Sequence, residues 1–227
     1  GPALAYAALA LAALASAPLA WGSFAPAPEA AALRLPRLAA FGFGAAVLGH
    51  MFAQVGVWPM ATWTMLGWTA ATVRFLAGAI GWPCLQRALT FPSLMANTVT
   101  VVVWYLGIVP GVLLMAPEGV RRRFREHMVL SAFLFIVHGV NLPFCLADWY
   151  LQPMQLELFD LWAGVAYGLA YLTFYLGVLD PLGAHLYFVL TPRKWWGGLF
   201  YAGLTGSMVA LWAGLNAWAA RLASAGA

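Results

Sequence analysis

Apolar residues in this chain fall into runs of about twenty, broken by short clusters of proline, arginine, tryptophan and aspartate. A run of that length is what a helix needs to cross a hydrocarbon core, and a helix satisfies its own backbone in lipid. After Arg34 and Arg37 the pattern predicts six core spans: Leu38–Val57, Ala61–Trp82, Ser93–Met115, His127–Ala147, Leu161–Val178 and Trp195–Ala220. The breaks fall at Trp58-Pro59, Trp82-Pro83, Phe91-Pro92, Pro117 with Arg121-Arg122-Arg123, Asp180-Pro181 and Pro192-Arg193-Lys194. Tryptophan and tyrosine gather near these ends, as in interfacial belts. The expectation is an all-α, polytopic membrane bundle forming one domain over residues 35–227.

Residues 1–34 are expected to be a separate apolar segment. Ala3 to Trp21 is rich in alanine and leucine and reads either as an extra anchor helix or as the apolar core of a targeting peptide. The small residues Ala15-Ser16-Ala17 resemble the end of a signal-peptide core, and Phe24-Ala25-Pro26 looks like the junction of presequences sent to complex plastids. The first residue is glycine, so the upstream start is missing or processed away, and both readings stay open.

Composition narrows the class. The chain is 64% hydrophobic and 8% charged, with a mean hydropathy of +0.84. A soluble domain carries roughly a quarter charged residues, so this sequence cannot cover a water-facing surface. The net charge of +4 is therefore a matter of topology and not of nucleic-acid binding. Arg121, Arg122, Arg123, Arg125, Arg193 and Lys194 lie on one side; Arg34, Arg37, Arg87 and Arg221 lie on the other, diluted by Asp148, Glu157 and Asp160. The first side is expected to face the cytosol, stroma or matrix. Cys84 and Cys145 have no metal-ligand spacing and are expected to stay free thiols.

Polar groups inside the spans point to chemistry, because lipid makes them costly. His50 lies past the middle of the first core span, with Gln54 one turn on. Arg74 lies in the second span, within reach of Asp148 at the end of the fourth, and a helix-locking ion pair is expected there. Asn97, Thr98 and Thr100 open the third span. His138 and Asn141, three apart, are expected to share a helix face beside the kink that Pro143 produces by withholding an N–H from the Gly139 carbonyl. The plain alternative for His138 is a structural histidine bonded to a neighbouring helix.

Some of these motifs resemble the androgen-induced family of membrane threonine hydrolases, which cleave fatty-acid esters of hydroxy fatty acids. The likeness runs from Leu89 to Tyr187. It is carried by LTFPSLMANTVTVVVWY with Phe91, Pro92 and Trp104, and by His138 four residues before Leu142-Pro143-Phe144 with Asp148 after it. A tyrosine-rich fifth span and Tyr187 match more loosely. The resemblance implies a six-helix core with His138 as the catalytic base. It also implies a threonine in a Trp-x-x-Leu-Thr pattern, where this chain has Trp63-Thr64-Met65-Leu66-Gly67-Trp68. Gly67 stands at the nucleophile position, with Thr64 and Thr69 nearby.

The favoured expectation is a non-catalytic protein on a hydrolase-like scaffold. It would be an accessory subunit in contact with lipid or pigment, in an organellar complex of the plastid thylakoid or, second, of the mitochondrial inner membrane. Bound lipid and other membrane subunits are its expected partners. One alternative is an ester hydrolase in which Thr64 or Thr69 attacks, His138 takes the proton, and Asn97 or Asn141 holds the oxyanion. In the favoured reading Asn97, Asn141 and His138 line a ligand pocket beside the Pro143 kink, occupied by a lipid tail or pigment ring. The other alternative is a haem or chlorophyll subunit using His50 and His138. No pair of broken helices or inverted repeat suggests a transporter.

Overall fold

The computed structural model describes residues 2–184 and 196–225; these are helical almost throughout, and no strand occurs among them. Eight helices follow in order among the described residues: α1 (Pro2–Gly22), α2 (Arg34–Val55), α3 (Trp63–Ile80), α4 (Pro83–Met115), α5 (118–129), α6 (Ala132–Leu151), α7 (Leu158–Leu179) and α8 (Gly197–Ala225). Six of them, α1, α2, α4, α6, α7 and α8, are long and apolar enough to cross a membrane. With 64% hydrophobic residues, the chain is an integral, multi-pass membrane protein.

The expected second core span, α3, is not among those six. It has 18 residues and carries Arg74 together with Thr64, Thr69 and Thr72. It is also the most enclosed helix of its unit, with Met65, Gly67, Trp68, Ala70, Ala71, Thr72, Arg74, Phe75, Ala77 and Gly78 buried. A helix walled by protein has no need of a uniformly apolar surface.

By contacts the chain gathers into two compact units: residues 27–152, and residues 1–26 with 153–227. The apolar runs set 1–34 apart from a single 35–227 domain; the contacts divide the chain differently because α1 packs on α7 and α8. In that unit the Trp162 indole donates to the Ala13 carbonyl at 2.8 Å, and Tyr6 and Thr173 share a 2.7 Å hydroxyl bond. Trp21, Phe24, Phe159 and Trp162 form an aromatic cluster around the end of α1. Asn216 on α8 clamps the backbone of Leu156, accepting from its N–H at 2.7 Å and donating to its carbonyl at 2.9 Å.

The other unit holds α2 to α6. Thr62 caps α3 by accepting from the Met65 N–H, and α3 stops at Gly81, whose φ of 76° only glycine adopts without strain. Pro83 then opens α4 at the position where its missing N–H costs nothing. The expected break at Phe91-Pro92 does not occur, and α4 runs through Pro92. Pro92 removes one bond to the Ala88 carbonyl, but it and Phe91 are buried in the fold, where packing lets the helix continue.

The fourth span also starts later than expected. His127 belongs to the end of α5, and α6 begins after Ser131, whose hydroxyl accepts from the Leu134 N–H. Helices α4 and α6 each contain a π-helical turn, at Val103–Ile108 and Ile136–Val140. The expected Trp195 start, Tyr187 and the Pro192-Arg193-Lys194 break lie outside the described residues.

Candidate functional site

Four helix ends meet at one end of the 27–152 unit: the start of α2, the end of α3, the start of α4 and the end of α6. There Arg74 Nη2 donates to Asp148 Oδ2 at 2.8 Å, joining the pair expected from the sequence. The partner not foreseen is Arg37. Its Nε donates to Asp148 Oδ1 at 2.7 Å, and its Nη2 donates to the Gln152 side-chain oxygen at 2.5 Å. Gln152 in turn donates to the Pro28 carbonyl at 2.5 Å.

Arg74 is 1% exposed and Arg37 3%, so one carboxylate answers two enclosed guanidinium groups. Arg74 Nη1 also donates to Ser93 Oγ at 2.9 Å, while its Nε is buried with no hydrogen-bond partner. By sequence Arg37 and Arg87 count as flanking loop charges, but both are buried in helices. The available clue is that Leu38-Ala39-Ala40-Phe41 follows Arg37 directly, which puts it inside the apolar helix.

One layer further in lie the amides. Asn141 Nδ2 donates to Asn97 Oδ1 at 2.6 Å, and Asn97 Nδ2 donates to the Ser93 carbonyl at 2.8 Å and the Gly67 carbonyl at 3.2 Å. Asn141 Oδ1 accepts from the Leu142 N–H at 2.9 Å. Both side chains are almost wholly enclosed. Every hydrogen bond just named is internal, so this pair pins α3, α4 and α6 together. At Gly67 the backbone packs so closely that a Cβ would stand 2.9 Å from Asn97 Oδ1 and 3.4 Å from the Ala96 Cβ.

His138 does not join that layer. Its ring stacks on Trp104 at 3.8 Å between centroids and 11° between planes, and its Nδ1 bonds the Leu134 carbonyl at 3.0 Å. Asn97 and Trp104 are about two turns apart on α4, so Asn141 and His138 both face that helix at different levels. His138 and Trp104 each sit in a π turn.

His50 is exposed on α2, with its ring 4.6 Å from Phe133. Between these turns of α2 and α6, Val47, Met51, Met65, Trp68 and Val137 form a packed apolar core, with Phe133 and Ile136 against it. The two histidine rings thus have different aromatic neighbours, Phe133 for His50 and Trp104 for His138.

Neither candidate threonine engages His138 among the described residues. Thr69 donates to the Met65 carbonyl at 2.8 Å, and Thr64 is half-buried on the preceding turn. Cys84 and Cys145 are both free thiols, the first exposed and the second buried. No group of three or more metal-ligating side chains occurs among the described residues.

Fold and site together define a polytopic helical membrane protein with an enclosed Arg–Asp–Arg cluster above an amide layer. Comparison with family models, curated proteins and solved structures finds no match to this chain. The geometry of the chain itself therefore carries the functional reading.

Proposed function

We propose that this chain is a non-catalytic, lipid-contacting accessory subunit of a larger membrane assembly. The observation that carries this reading is at Gly67. The position where the hydrolase resemblance implies a threonine is filled up to the backbone by Asn97, whose oxygen is already taken by Asn141. Covalent catalysis needs a nucleophile within hydrogen-bond reach of its base. Here the hydroxyl of Thr69 donates to its own helix, and neither it nor Thr64 bonds His138 among the described residues; the Leu134 bond at Nδ1 leaves His138 Nε2 without a threonine to serve.

The polar residues of this unit thus hold helices together, while its outer surface offers lipid and partners large apolar side chains such as Leu106, Leu114 and Met115. The proposed setting is an organellar membrane, with a photosynthetic assembly ahead of a respiratory one.

The test is purification in mild detergent from the native membrane, followed by treatment with a fluorophosphonate probe and peptide mass analysis. The expected result is co-migration with defined membrane subunits and no labelled threonine. Labelling of Thr64 or Thr69 that disappears in His138→Ala would establish a hydrolase and refute this reading.

A second reading concerns pigment at His50 alone. An exposed imidazole on an apolar helix can act as an axial ligand to a ring lying outside the bundle. Visible absorbance that is lost in His50→Leu supports that reading, and a colourless purified complex excludes it.

A further inference from the structure

Beside the ion-pair cluster, a cleft of about 10 Å³ opens between the start of α2, the end of α3 and the start of α4. Its lining includes Pro28, Glu29, Arg34, Arg37, Gly78 and Gln86. We infer that this cleft is a binding site for an oxyanion of the phosphate or sulfonate type, with the headgroup of an anionic lipid as its source.

Three observations converge on it. The first is donor supply. Arg37 spends Nε on Asp148 and Nη2 on Gln152, and its Nη1 makes no hydrogen bond among the described residues. The Gln86 side-chain amide is equally unengaged among them. Both residues are more than nine-tenths buried and both line the cleft. Donors that line a cleft and have no protein acceptor are free to bond an incoming oxygen.

The second is charge. Arg34, Arg37 and Arg74 face Asp148 and Glu29, leaving one positive charge over. Glu29 is the repulsive group at the mouth. It is 73% exposed and stands 4.0 Å from Arg34, so it lies at the solvent rim.

The third is depth. The cleft sits where α2 begins and α3 ends, at the end of the unit rather than its middle. That is the level of lipid headgroups for helices of this length. A cavity of this size holds at most about one water, so one oxygen of the anion enters and the rest of the headgroup stays outside, against Arg34. Guanidinium groups suit such forked oxyanions. Such a site needs only the membrane setting and does not depend on whether the chain is catalytic.

Purified full-length protein, stripped of lipid in detergent, is titrated separately with phosphatidylglycerol, phosphatidylcholine and inorganic phosphate. Thermal unfolding and native mass spectrometry are the readouts. Phosphatidylglycerol is expected to raise the melting temperature and remain as one tightly held copy, with phosphatidylcholine at least tenfold weaker. Gln86→Leu and Arg34→Gln each leave the Arg37–Asp148–Arg74 contacts in place, and each is expected to weaken retention about tenfold. If inorganic phosphate alone reproduces the shift, and the two variants abolish it, the oxyanion site stands and its source is a free anion. Equal retention of both lipids with no effect of either variant overturns the site, as does the absence of any shift with all three probes.

Discussion

Replacing Asp148 by alanine removes the one carboxylate shared by Arg37 and Arg74. Both guanidinium groups stay where α2 and α3 hold them, at 3% and 1% exposure, so neither can reach water without moving its helix. Removing one partner of a buried ion pair costs about 3–5 kcal/mol, chiefly through the charge left behind. Asp148 is itself 14% exposed, which admits some solvent to the cluster and argues for the lower half of that range despite two pairs being lost. For a chain of 227 residues each kcal/mol moves the melting temperature by about 2–4 °C, so the expected fall is roughly 6–16 °C.

The assay is intrinsic fluorescence on heating in detergent, which the 12 tryptophans make sensitive. Asp148→Asn keeps an acceptor for one arginine and removes the charge, so it should fall between wild type and alanine. In an Arg37→Gln background, the loss on Asp148→Ala should shrink by at least about 1 kcal/mol, because one stranded cation is already gone. A fall of less than about 3 °C for Asp148→Ala, or strictly additive single and double changes, would refute the claim that this cluster ties the four helix ends together.

Two further outcomes follow from the packing. Gly67→Thr should destabilise by about 1–3 kcal/mol in thermal unfolding, since its Cβ meets Asn97 Oδ1 at 2.9 Å, and should gain no reactivity towards the fluorophosphonate probe; a label on the introduced hydroxyl would overturn the account of that site. Asn216→Ala leaves the Leu156 N–H and carbonyl without their clamp, and a loss of about 1–3 kcal/mol is expected; unchanged hydrogen exchange at Leu156 and its neighbours would count against it.

The apolar runs by themselves determine that this chain lives in a membrane as a set of helices. Burial in lipid depends on length and composition, and both are local properties. The Arg74–Asp148 pair is legible for a related reason: two opposite charges near the ends of apolar helices have few other partners. What the runs do not reveal is decided by how the helices meet. Arg37 reads as a flanking charge until α2 places it beside Asp148. Pro92 reads as a break, yet α4 continues through it where it is buried. The first helix, α1, reads as detachable until its carbonyls and rings meet those of α7. His138 and Asn141 read as two members of one pocket, and the fold gives them separate partners on α4, Trp104 and Asn97. Which partner each side chain meets depends on how α4 and α6 pack, and a local pattern of residues carries no information on the facing helix.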